Sequence, residues 1–196
     1  MNTPNKLTLG RMIATPVFMA TMLIEFPYHY LVSLVLFALA SLTDMIDGKM
    51  ARKYNLITDF GKFLDPLADK MLTTAAYLGF MALYCAKGGN YGWAMTTIVF
   101  IVLFREFMVS SLRLVTAKSG LVVAANIWGK LKTVSQMVGL VAALLFYTLI
   151  EDFGMSHICS ACDIIIMILF WISAILCVIS GLIYLNECKS YINTSK

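Results

Sequence analysis

The chain has 196 residues, 60% of them apolar and 13% charged, against about 45–50% apolar and about 25% charged in soluble domains. So little charge cannot cover a globule in water once its core is filled, which excludes a soluble monomer and leaves a polytopic membrane protein. A net charge of +4 with no basic run excludes a nucleic-acid reader, whose affinity rests on many phosphate contacts.

In chain order, the polar start over 1–10 carries Lys6 and leads into Arg11, and no small-residue cleavage site follows near 20–30. The first apolar stretch is therefore expected to stay as a span. Pro4 and Asn5, followed by Leu7, Leu9 and Met12, read as a short interfacial segment entering that span, with Asn5 and Thr8 either capping it or touching substrate. Apolar stretches near 11–25, 31–50, 65–86, 92–114, 132–150 and 163–186 predict an all-α integral membrane protein with six transmembrane helices. Their continuous, non-alternating hydrophobicity argues against a β-barrel. No linker, low-complexity stretch or repeat divides the chain, so 1–196 reads as one domain.

The segments 25–30 and 151–162 carry no Lys or Arg, whereas 49–62 holds Lys49, Arg52, Lys53 and Lys62, and 113–132 holds Arg113, Lys118, Lys130 and Lys132. The positive-inside rule puts those two basic loops and both termini in the cytoplasm, against the single dissent of Lys87. Trp93, Trp128 and Trp171 are candidate interfacial anchors. Five cysteines imply no disulfide framework; Cys159 and Cys162 form a CxxC beside His157 but lack the second ligand pair that a zinc site needs.

The informative segment is DMIDGKMARKYNLITDFGKFLDPLADK, from Asp44 to Lys70. On a helix Asp44, Asp47, Gly48 and Ala51 share one face, as do Gly61, Asp65 and Asp69 on the next. Two antiparallel helices joined by a short loop can bring such stripes together. Each carboxylate at membrane depth costs about 2.5–3.5 kcal/mol, so a cation, water or basic partner must compensate. The five acids and five bases between 44 and 70 also fit a solvated, charge-paired loop, but such pairing does not require helical registry. The candidate ligands are all hard oxygens with neither His29 nor His157 near in sequence, which favours Mg²⁺ or Mn²⁺ and, since magnesium completes its shell with phosphate, a phosphorylated ligand. Gly48, Ala51 and Gly61 clear space for a bulky diphosphate, and Arg52 offers a planar fork to its oxygens. Pro66 directly after Asp65 disfavours a regular turn, so the third helix is expected to begin or bend there.

As a pattern the segment reads D-x2-D-G-x2-A-R-x8-G-x3-D-x3-D, and it resembles the signature of the CDP-alcohol phosphotransferases at all eight fixed positions. The resemblance implies six membrane helices, a homodimer, and displacement of CMP from a CDP-linked alcohol by a second alcohol with divalent metal, two Mg²⁺ or Mn²⁺ ions. It implies that Asp44, Asp47, Asp65 and Asp69 are metal ligands, that Asp69 is also the catalytic general base, and that Gly48, Ala51, Arg52, Thr58 and Gly61, with Asn5 and Thr8, surround the CDP moiety.

Between 105 and 132 lie five bases (Arg105, Arg113, Lys118, Lys130 and Lys132) and one acid, Glu106, a surplus of +4. Such a cationic segment suits an acceptor that is itself an anion, although the positive-inside rule also wants bases here. The REF-x-VS-x-LRL and GK-x-KT patterns resemble bacterial-type members that join CDP-diacylglycerol to glycerol 3-phosphate, releasing phosphatidylglycerophosphate and CMP, which implies the cell (plasma or inner) membrane. That resemblance makes Arg113 and Lys130 the first candidates for the acceptor phosphate, with Arg105 and Lys132 second. Another acceptor, inositol phosphate or serine, and a divalent-cation transporter are the rival readings; carboxylates near the cytoplasmic edge disfavour transport, whose sites lie near the midplane.

Overall fold

The apolar stretches coincide with helices of the computed structural model, which describes residues 3–53, 59–118 and 127–192, with the backbone alone at several helix positions, 45–53, 59–63, 65, 66 and 69 among them. Six α-helices occur among the described residues: α1 (Thr3–Leu23), α2 (His29–Lys53), α3 (Asp59–Lys87), α4 (Gly89–Lys118), α5 (Ile127–Tyr147) and α6 (Cys159–Ile192). A π-helical turn, Thr148–Asp152, and a 3₁₀ turn, Ser156–Ile158, link α5 to α6. Three stretches among the described residues, Gly89–Leu114, Ile127–Asp152 and Cys159–Lys189, are long and apolar enough to cross a membrane, and His29–Asp44 is a shorter apolar helix. The protein is an all-helical membrane protein.

Local chemistry sets the helix ends. Between α3 and α4 the chain reverses through Gly88 and Gly89, at φ 74° and 71°, a conformation that costs glycine nothing and other residues steric strain. Asp152 ends the π-helical turn and accepts a 2.7 Å hydrogen bond from the Leu31 N–H. Its carboxylate thus sits where the first turn of α2 exposes unpaired donors and the positive end of the helix dipole. Asp152→Ala is expected to lower stability by about 1 kcal/mol, and Asp152→Asn by less, since an amide oxygen still accepts; denaturant unfolding in detergent checks this, and equal stability of all three forms would refute the cap.

Two expectations change. The interfacial segment is no separate element: α1 runs unbroken from Thr3, so Asn5 and Thr8 lie inside it and do not cap it. Nor does the third helix begin at Pro66; α3 starts at Asp59 and continues through it, at the cost of the hydrogen bond that the Lys62 carbonyl would otherwise receive. Trp93 and Trp128 stand near the starts of α4 and α5, and Trp171 lies within α6.

The helices build two compact units, with the chain passing between them inside α3, α5 and α6. The first comprises 1–83 and 140–162. There α1 packs on α2, and Phe18 meets Phe37 with ring centroids 5.7 Å apart. Tyr147 of α5 lies 5.2 Å from the Tyr30 ring of α2 and 5.8 Å from Phe80 of α3. The buried face of α1 follows helical spacing, polar at Asn5, Thr8, Arg11 and Thr15 and apolar at Phe18 and Met22.

The second unit comprises 84–139 and 163–196. Its core includes Met95, Ile98, Val102, Phe170 and Ala174. Lys87 here donates to Asp163 at 3.1 Å, and Tyr84 donates to the same carboxylate at 2.9 Å. The base that dissents from the charge rule is therefore neutralised by an acid of α6. All five cysteines are free thiols, Cys159 and Cys162 included.

Candidate functional site

In the first unit, α2 carries positions 44, 47, 48 and 51 on unbroken helix, and α3 likewise carries 61, 65 and 69. The registry that the sequence required for two carboxylate stripes thus exists in the backbone. The side chains of Asp47, Arg52, Asp65 and Asp69, and Ala51 with Gly48 and Gly61, fall outside what is described, as does Thr58 altogether. Asp44 is described: it forms an ion pair with Nη1 of Arg11, and its own side chain is 46% exposed while that of Arg11 is 2% exposed.

A guanidinium in α1 therefore supplies part of the compensation that a carboxylate at the membrane requires. Asn5 and Thr8, expected near the CDP moiety, lie on the same buried face of α1 as Arg11. Sequence reading passed over Arg11 as the first residue of a span. The signal was present, because Asn5, Thr8, Arg11 and Thr15 recur at helical spacing as a polar stripe in an otherwise apolar helix. Among the described residues no three acids, histidines or cysteines cluster to hold a metal. Asp44, the one of the four aspartates whose side chain is described, is half exposed and offers only oxygen, which suits a hard divalent cation.

In the second unit the structure sorts the four basic candidates. Arg105 of α4 is 9% exposed and Lys132 of α5 is 5% exposed. Nη2 of Arg105 donates to Ser180 Oγ at 2.7 Å, and Nη1 donates to Glu106 at 3.3 Å. Lys132 forms an ion pair with that same Glu106 oxygen. Gly181 of α6 lies close against the arrangement: a Cβ there would stand 3.3 Å from Cγ of Arg105 and 3.1 Å from Cε of Met108, so those side chains would have to give by a few tenths of an ångström.

Arg113, two turns along α4, is exposed; its Nε donates to the Tyr184 hydroxyl at 3.1 Å, and its guanidinium lies 5.5 Å from that ring's centroid. Tyr184 thereby holds the guanidinium through its Nε edge and its ring. Lys130 is exposed and forms no ion pair among the described residues. So Arg105 and Lys132 come together around Glu106, whereas Arg113 and Lys130 are exposed. Glu106 had counted in the sequence only as the acid diminishing a basic segment; its contact with Lys132 spans 26 residues, which no local pattern announces.

The family model for CDP-alcohol phosphatidyltransferase matches residues 1–180. The chain is 37% identical to a CDP-diacylglycerol–glycerol-3-phosphate 3-phosphatidyltransferase of Bacillus subtilis (strain 168), over 99% of this chain and 98% of that one. A protein of the same name from Rickettsia bellii (strain RML369-C) is 37% identical over 97% of each chain. Another, from Salmonella typhimurium, is 37% identical over 71% of this chain and 74% of its own.

Proposed function

The chain belongs to the CDP-alcohol phosphatidyltransferase family, and we propose that it transfers the phosphatidyl group of CDP-diacylglycerol to sn-glycerol 3-phosphate, giving phosphatidylglycerophosphate and CMP in phospholipid biosynthesis. The observation that carries this reading is the similarity along nearly the whole chain to relatives bearing that enzyme's name. A metal transporter would not share it.

The family is generally divalent-cation dependent, and two Mg²⁺ or Mn²⁺ ions are assigned to Asp44, Asp47, Asp65 and Asp69. When bound, such ions neutralise the diphosphate and polarise the phosphorus under attack. Asp69 takes the proton from the attacking glycerol hydroxyl as its oxygen bonds to phosphorus and the bond from phosphorus to the CMP oxygen breaks. Gly48, Ala51 and Gly61 leave room for CDP, while Arg52, Thr58, Asn5 and Thr8 contact it. Arg113 and Lys130 hold the acceptor's phosphate by charge-assisted hydrogen bonds; the exposure of both residues supports that choice. Arg105 and Lys132, which pair with Glu106, are the second candidates for that phosphate. The full reading is a single domain over 1–196 with six spans, a homodimer in the cell (plasma or inner) membrane, and both termini and the active site facing the cytoplasm.

Purified protein in detergent, given CDP-diacylglycerol and Mg²⁺ or Mn²⁺, is expected to release CMP with glycerol 3-phosphate and not with inositol phosphate or serine. Release with another alcohol alone would reassign the acceptor. Metal flux in vesicles without any CMP would overturn the enzyme reading.

A further inference from the structure

We propose that Glu106 is a positioning residue for the acceptor end of this reaction, aiming the Lys132 ammonium and the Arg105 guanidinium without touching substrate. The inference rests on the acceptor reading above. Its ground is geometric: one Glu106 oxygen receives both Lys132 Nζ and Arg105 Nη1. The three side chains are 6%, 10% and 17% exposed for Lys132, Arg105 and Glu106. Two buried cations cannot lie side by side in an apolar bundle without a counter-charge, because desolvation and mutual repulsion both oppose them. One carboxylate shared between them leaves a single surplus positive charge.

The cluster joins three helices. Glu106 and Arg105 stand on α4, Lys132 on α5, and Ser180 of α6 takes the other arm of Arg105. It also holds the α5 segment that begins with Gly129 and Lys130, since Lys132 lies only two residues beyond Lys130. Gly129 faces the same cluster: a Cβ there would stand 3.8 Å from Arg105 Nη2 and 3.9 Å from Ser180 Oγ. Fixing Lys132 therefore fixes the direction in which the first turn of α5 presents Lys130. Glu106 acts through Lys132, and through it on the phosphate site.

The test is steady-state CMP release by the full chain in detergent, with CDP-diacylglycerol and glycerol 3-phosphate varied separately, for wild type, Glu106→Gln, Glu106→Asp, Lys132→Met and the double variant Glu106→Gln/Lys132→Met. Glu106→Gln is expected to raise the glycerol 3-phosphate KM at least tenfold while the CDP-diacylglycerol KM stays within twofold. Glu106→Asp, which keeps the charge, should recover most of that loss. In the Lys132→Met background Glu106→Gln should add less than twofold, because residues that act as one unit are not additive. If Glu106→Gln does not yield folded protein, as judged by its melting transition, Glu106→Asp carries the test through the same split, with a smaller rise confined to the acceptor KM.

Parallel loss of both KM values, a fall in kcat alone, or full additivity with Lys132→Met would overturn the proposal. Should wild type release CMP only with another alcohol, the acceptor assignment fails by itself. The same split is then read on that alcohol, and an unchanged KM there would overturn the role of Glu106 as well.

Discussion

Asp69→Asn is expected to lower CMP release by about 10²–10⁴-fold or more, the range spanned by loss of a positioned general base, while CDP-diacylglycerol still binds. Asparagine keeps the volume of the side chain and an oxygen that can face a cation. It cannot accept the proton of the glycerol hydroxyl at neutral pH, so the loss falls on turnover. The position suits the role, because α3 is continuous helix from Asp59 through residue 69 and places 61, 65 and 69 on one stripe. Single-turnover CMP release alongside direct binding of CDP-diacylglycerol separates the two effects. Full activity in this variant would remove Asp69 from the role of base, and lost binding with normal turnover at saturation would make it a donor-site ligand.

Removing the positive charge at Arg113 or at Lys130 is expected to raise the glycerol 3-phosphate KM about 10–100-fold, the worth of one charge-assisted hydrogen bond, with kcat and the donor KM little changed. Arg113 is the sharper case. Its Nε already belongs to Tyr184, so the terminal nitrogens are what a phosphate meets. Arg113→Lys should recover only part of the loss, because an ammonium cannot contact Tyr184 and engage two phosphate oxygens in one plane. Unchanged acceptor kinetics in both variants would move the phosphate site elsewhere. By contrast, substitutions at Glu106 should mimic these effects without that residue facing an anion, which is how the two layers of the site are told apart.

Hydropathy and periodicity carried the membrane class and the helical segments, because both are local. An apolar run of spanning length must satisfy its backbone internally, and residues three or four apart on such a helix share a face whatever surrounds them. The spacing of Asp44, Asp47 and Gly48, and of Gly61, Asp65 and Asp69, is information of this kind, and so is the eight-residue signature that led to the family. Of the two expectations at Pro66, a start or a bend of the third helix, the start does not hold. A proline weakens a helix but does not end one whose other residues continue it, and α3 passes through.

Partner choice among charges was settled only by the tertiary structure. Arg11 reaches Asp44 across 33 residues, Lys132 reaches Glu106 across 26, and Lys87 reaches Asp163 across 76. In a chain with so few charges, each one taken out of water must find an opposite charge or a polar neighbour wherever packing brings one. The sequence by itself determined that this protein is a helical membrane enzyme with aspartate stripes and a cationic second half. Only the fold decided which cations enter internal pairs and which stay exposed, because that depends on which helices touch and no local periodicity encodes it.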